Sequence, residues 1–170
     1  MHLDKIIEFL KLPEEEALKK CREDSFCGSG PGGQHRNRVK TGIKLTHIES
    51  NLSGEASQFR EGKRNRKEAL RQLKLKMSFT IEISFKELEQ IWNKLPIQRI
   101  NANNPRYPIW VLCVIQLWRN SKFQTSELKQ QDHWSVSSII RQCARDSELW
   151  TWIQKERQLI NLKPLKNPLK

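Results

Sequence analysis

Leu3, Ile6, Ile7 and Leu10 fall at i, i+3, i+4 and i+7, which predicts a short amphipathic helix at the start of the chain. Pro13 followed by Glu14, Glu15 and Glu16 predicts a second helix start, because proline suits a first helical turn and acids suit its positive end. Residues 21–27 are short and mixed and read as a strand. Gly28, Gly30, Gly32 and Gly33 then crowd into six residues, a density that predicts an exposed loop. From Gly42 to Ile48 apolar and polar residues alternate, with Ile43, Leu45 and His47 facing one way, as in a half-buried strand. His47 reads as a packing residue at the strand end rather than a catalyst. Glu49-Ser50-Asn51 predicts a turn, since Asn51 tolerates a left-handed backbone, and residues 52–58 return as the partner strand.

After Gly62 the period changes. Ala69, Leu70, Leu73 and Met77 make an apolar stripe on a helix over 63–77, and Lys63, Arg64, Arg66, Lys67, Arg71, Lys74 and Lys76 cover the rest. Phe79, Ile81 and Ile83 alternate as a short strand, and Phe85–Leu95 reads as helical. Asn101–Pro108 is an irregular connector. Helical stretches follow at Ile109–Asn120, at Ser126–Gln130 leading to Val136–Arg145, and at Glu148–Leu159. Trp110, Trp118, Trp134, Trp150 and Trp152 are expected to form the core of a small helical domain. Ser126 is a plausible N-cap for a helix-turn-helix-like stretch from Thr125 to Arg145. The fold class is α+β: a small β-hairpin or sheet with a basic helix, then a helical C-terminal domain. The boundaries are a helical segment over 1–20, a mixed domain over 21–77, a helical domain over 78–161 and a mobile basic tail over 162–170.

Composition adds a partner class. The 170 residues carry a net charge of +12. Residues 1–27 contribute −2, residues 28–76 contribute +8 and residues 77–170 contribute +6, so the middle of the chain holds most of the excess. Over 63–77 the seven bases face one acid, Glu68. Such concentration points to a polyanion, nucleic acid first. No run of about 18 apolar residues is present, which argues against a membrane span. The acidic start lacks secretory and transit-peptide features, so the expected location is cytoplasmic. Cys21, Cys27, Cys113 and Cys143 have no metal-binding spacing, and no metal or cofactor is expected.

The glycine loop carries the chemistry. Gly28-Ser29-Gly30-Pro31-Gly32-Gly33-Gln34-His35-Arg36-Asn37 runs into Arg38-Val39-Lys40-Thr41-Gly42-Ile43-Lys44-Leu45-Thr46-His47. Neither nucleotide-binding glycine pattern, GxxxxGK[ST] or GxGxxG, fits here. This stretch resembles the catalytic domain of class I peptide-chain release factors and of codon-independent ribosome-rescue peptidyl-tRNA hydrolases. Those proteins carry Ser-Gly-(Ala/Pro)-Gly-Gly-Gln followed by a strand ending near Thr-His. The likeness covers roughly 22–76, through Arg60, Asn65 and Ala69-Leu70. It departs at Cys27, where the family often has Arg, at Glu61-Gly62-Lys63, and at Asn51, which stands for a turn glycine. The first two bear on rRNA docking; the third is mild, because Asn accepts positive φ.

The resemblance implies ribosome-dependent hydrolysis of the peptidyl-tRNA ester, with Gly32, Gly33 and Gln34 as the catalytic residues. RNA contacts are implied for His35, Arg36, Asn37, Arg38, Lys40, Arg60, Lys63, Arg64, Arg66 and Lys67. The partners are the rRNA of the peptidyl-transferase centre and P-site peptidyl-tRNA, with a methyltransferase acting on Gln34 as a further candidate. With 27 residues ahead of the loop there is no room there for a codon-reading domain of the family's type, so codon-independent rescue of stalled ribosomes is expected. The physics agrees. Ester hydrolysis needs a positioned water and donors aimed at the developing oxyanion. Consecutive glycines let the main chain press against RNA without Cβ clashes, and a neutral amide orients water without a pKa shift. Two alternatives stay open: a non-catalytic ribosome- or RNA-binding module, and a regulator that occupies the A site without hydrolysis.

Overall fold

The computed structural model describes residues 3–27, 40–83, 91, 100–102, 104–128 and 134–169. The chain divides into two compact units, residues 1–81 and 82–170. The fold class is α+β.

In the first unit, helices α1 (Leu3–Lys11) and α2 (Glu14–Lys19) precede a three-stranded antiparallel sheet of β1 (Cys21–Phe26), β2 (Gly42–His47) and β3 (Ser53–Ala56). The expected hairpin is present, and β1 extends it by pairing with β2 from Cys21↔His47 to Phe26↔Gly42. Between β2 and β3 the register runs from Ile43↔Ala56 to Thr46↔Ser53. The turn between them holds Asn51 at φ 56°, as its residue type predicts. Central β2 exposes only Lys44. His47 is buried, its ring 4.4 Å from Phe9 and its Nδ1 2.9 Å from the Ser50 hydroxyl, so it packs the strand end.

Helix α3 (Gly62–Thr80) lies on β2 and β3. Leu70, Leu73 and Met77 are buried along with Ile43 and Leu45, as the apolar stripe predicts. Two expectations fail on this helix. The strand over Phe79–Ile83 does not form: Phe79 and Thr80 continue α3, and Ile81 and Ile83 are buried without regular structure. Leu70, Leu73, Met77 and Ile81 share the helical period, and the Ser78 and Thr80 hydroxyls donate back to the carbonyls of Lys74 and Lys76. Helical spacing therefore accounts for burial that alternation also fits.

The second failure is Lys74, expected on the solvated basic face but 7% exposed. The α1 segment ends beside it, and its ammonium donates to the carbonyls of Leu12 (2.7 Å) and Leu10 (3.3 Å). Burial pulls this amine down to about 8 from its ordinary 10.5, with Cys21 and Glu14 pulling upward. Between these values the unfolded chain binds more protons, so stability rises with pH. Burial also pushes the Cys21 thiol up to about 11 from 9.0, which opposes the rise above about pH 9 and flattens it. The first unit is therefore expected to gain stability from pH 8 to 9 in denaturant titrations. Lys74→Met should flatten that rise; a rise of unchanged size would assign it to another group.

The second unit centres on α4 (Tyr107–Asn120), buried at every residue from Tyr107 to Trp118. Pro108 sits in its first turn, so the helix starts two residues earlier than expected. Helices α5 (Val136–Cys143) and α6 (Ser147–Leu159) follow. Ser135 caps α5 by accepting from the Ser138 amide. Asp146 caps α6, accepting from the Glu148 and Leu149 amides, and also accepts from the Tyr107 hydroxyl. Trp110, Trp118 and Trp134 are buried in this core, while Trp150 and Trp152 are only partly so. The helix expected from Ser126 is not there: residues 125–127 form a turn, residues 129–133 lie outside the described ones, and Ser126 has no helix to cap. Left-handed Lys122 and Phe123 reverse the chain after α4, and only Leu128 of the next few residues offers apolar surface. The helix-turn-helix-like reading goes with it. The helix expected over Phe85–Leu95 lies almost wholly outside the described residues.

The run after α6 has no regular structure, yet two of its positions are tied to that helix. The Gln154 amide both donates to and accepts from the Leu165 main chain. Buried Arg157 donates to the Lys163 carbonyl and to that of Phe123. No helix among the described residues is long and apolar enough to cross a membrane.

Candidate functional site

Gly32, Gly33, Gln34, His35, Arg36, Asn37 and Arg38 lie outside the described residues. What the structure does describe is the frame from which that segment departs and to which it returns. It leaves β1 after Phe26 and the exposed Cys27, and re-enters at Lys40 and Thr41 before β2.

That frame is closely fitted. Phe26 and Gly42 are cross-strand partners, and the Phe26 ring covers Gly42 so tightly that a Cβ there would stand 2.7 Å from Phe26 Cε2. On the return side, Asn65, one turn into α3, is fully buried. Its Nδ2 donates to the Thr41 carbonyl (2.7 Å) and the Phe59 carbonyl (2.8 Å), and its Oδ1 accepts from the Phe59 amide (2.9 Å). One side chain thus joins the start of α3, the β3–α3 connection and the residue that leads into β2. Its first hint in the sequence is a short amide inside a basic helix, a type that favours local backbone bonds over helix interiors.

The exposed cations gather near the start of α3. Lys63, Arg64 and Lys67 are exposed on its first turns, Arg60 is exposed just before them, and exposed Lys40 neighbours Thr41. The Arg64 guanidinium lies 4.2 Å above the Phe59 ring, which fixes its direction. Arg66 is different from its neighbours. Its guanidinium donates twice to Glu23 on β1, at 2.6 and 2.7 Å, and this hydrogen-bonded pairing raises its already high pKa. Arg71 is likewise paired, with Glu68. The basic run of α3 therefore divides into an exposed set near the helix start, two paired arginines, the buried Lys74 and an exposed Lys76 that donates to the Ser53 carbonyl.

The exposed set does not serve the helix. The first turn of α3 holds Lys63 and Arg64 and no acid, and its N-cap residue, Glu61, makes no side-chain cap bond. Cations there oppose the positive end of the helix dipole, at a cost of roughly 0.3–1 kcal/mol each when exposed. Positive charge accumulated against that preference fits a surface meant for a polyanion. Among the described residues, no three His, Cys, Asp or Glu side chains gather as a metal site would.

Sequence comparison matches this architecture. The family model described as the RF-1 domain matches residues 13–104. The peptide chain release factor 1 of Flavobacterium johnsoniae is 33% identical over 84 residues, covering 46% of this chain and 23% of the relative. That of Blochmanniella floridana is 41% identical over 69 residues, covering 41% and 19%. The peptide chain release factor 2 of Yersinia enterocolitica is 36% identical over 56 residues, covering 33% and 15%. The chain spans less than a quarter of the length of these relatives. No solved structure matches it. With the family match running from the second helix through the sheet, the glycine segment and the basic helix, the chain belongs to the RF-1 domain family, whose members include the catalytic domain of class I release factors.

Proposed function

We propose that this protein hydrolyses the ester of P-site peptidyl-tRNA on the ribosome, freeing the nascent chain, and that it does so without reading a codon. The observation that carries the reading is Gly32-Gly33-Gln34 inside the residues matched by the family, in a segment rooted between β1 and β2. The ribosome supplies the rRNA of the peptidyl-transferase centre and the tRNA. The protein supplies glycine backbone that can lie against RNA, a main-chain N–H at Gln34 aimed at the developing oxyanion, and an amide that positions water. His35, Arg36, Asn37 and Arg38 hold RNA around the ester, while Lys40, Arg60, Lys63, Arg64 and Lys67 hold phosphates behind it. Arg66 contributes after exchanging Glu23 for phosphate. Such a protein works in the cytoplasm, and Gln34 is a candidate substrate for a methyltransferase.

Peptide release from purified ribosomes tests this. We expect release from complexes carrying P-site peptidyl-tRNA and an empty A site, at the same rate whether a sense codon, a stop codon or no mRNA fills the decoding site. No release from any of them would leave the non-catalytic ribosome-binding reading in its place; release with a stop codon only would remove codon independence. Binding gives a second measure. Lys63→Glu, Arg64→Glu and Lys67→Glu together should weaken ribosome affinity far more than the same change at Lys155, Lys163 and Lys166. The slope of log affinity against log salt should fall by roughly 0.7–0.9 for each phosphate contact removed. Equal losses from both sets would mean that the charge acts without a defined site.

A further inference from the structure

We infer that Asn65 is a positioning residue for peptide release: it acts on the ester only through the Thr41 carbonyl, by fixing where the Gly-Gly-Gln segment re-enters the sheet. This rests on the reading of that segment given above. The geometry is what sets Asn65 apart from an ordinary helix residue. All three of its side-chain bonds go to main chain, at 2.7, 2.8 and 2.9 Å, and they tie together two separate segments, the nearby Phe59 and the more distant Thr41. Its side chain is fully buried, so no water can stand in for a lost partner without entering the core. The Phe59 pair fastens Asn65 to the connection before α3, leaving one donor for the carbonyl of Thr41, a residue with no sheet partner in the β1–β2 and β2–β3 ladders. The opposite root is held by a different device, the Phe26 ring over Gly42. One root is thus fixed by apolar cover and the other by a hydrogen bond from the cationic helix. A helix that docks on RNA phosphates through Lys63, Arg64 and Lys67 thereby carries the return root of the segment with it. Misplacement of a reacting group by about 1 Å costs roughly 10²-fold in rate, so a single such bond can matter without touching substrate.

Asn65→Asp keeps the acceptor for the Phe59 amide but turns an oxygen towards two carbonyls, and Asn65→Ser, a smaller side chain, is the second variant should the first not fold. Leu75→Ala, a buried change on the same helix away from the segment, serves as the destabilised control. In the full-length protein we expect Asn65→Asp to lower the release rate at saturating ribosomes at least tenfold, with the half-saturating ribosome concentration within twofold of wild type. Leu75→Ala should retain the wild-type rate despite a lower melting temperature. Hydrogen exchange should quicken at residues 40–42 of the Asn65 variants while residues 43–46 stay protected. If either Asn65 variant is folded and releases peptide at the wild-type rate, the inference is overturned and the release reading stands. A loss matched by Leu75→Ala, or faster exchange across the whole sheet, would also overturn it by making Asn65 a stability residue only. If the wild-type protein releases nothing, the release reading fails and the inference falls with it.

Discussion

Gly54→Ala is expected to cost the first unit at least about 3 kcal/mol, the upper end of what overpacking a well-filled core costs, and Gly54→Val is expected to leave it unfolded. A Cβ at this strand position would overlap the Ala69 carbonyl oxygen and the Leu73 amide nitrogen, and would stand 2.9 Å from Leu73 Cα. All three are main-chain atoms of α3, so no side chain can rotate away and the helix itself must lift off β3. Lifting it would open the contact that buries Leu70, Leu73 and Met77. Since whole domains are stable by only about 5–15 kcal/mol, the loss is a large share of the total. Thermal unfolding followed by circular dichroism checks this, and a Gly54→Ala midpoint within about 2 °C of wild type would show that α3 sits further from β3 than described.

The second large effect concerns Gln34. Gln34→Ala retains the main-chain N–H and removes the amide, whereas Gln34→Pro removes the N–H and fixes φ. Losing one oxyanion donor costs about 10²–10³ in rate. Gln34→Pro is therefore expected to lose release by that factor or more, with Gln34→Ala above it and measurable. Gly32→Ala and Gly33→Ala should also lower the rate with little change in melting temperature. Rates measured at saturating ribosomes decide the order. Alanine below proline would place the side chain, and not the N–H, at the centre of the chemistry. Wild-type rates in all four variants would end the catalytic reading.

Much of the first unit is legible in the sequence because two periods change cleanly: alternation over Gly42–His47 and the stripe Ala69, Leu70, Leu73, Met77. The failures have physical causes. Lys74 reads as solvated because a run of bases hides which one faces the carbonyl ends of another helix, a fact set by the path of residues 3–12. Gly54 reads as one more strand residue, although glycine inside a strand is a sign of close backbone approach. Phe79, Ile81 and Ile83 satisfy the strand period only because they are too few to refuse it. Of the site, the segment from Gly28 to Asn37 is recognised by residue type alone, and the cations by their number. The division of those cations into exposed, paired and buried needed coordinates, since Glu23 and Arg66 are far apart in the chain. So did Asn65, whose partners, the Thr41 and Phe59 main chain, carry no residue signature at all.

The tie between α6 and the residues that follow it sets an order of assembly during synthesis. The sheet, α3 and the Lys74 contacts close within residues 3–81, so the first unit has its partners long before the chain is finished. The second unit does not. Arg157 is buried with its guanidinium on the carbonyls of Phe123 and Lys163, and Gln154 waits for Leu165. Until residues 163–165 leave the exit tunnel, a buried cation lacks part of its solvation shell, and chaperones or proteases meet an incomplete helical unit attached to a finished one. The unit that holds most of the family match is thus ready while its companion is still in the making.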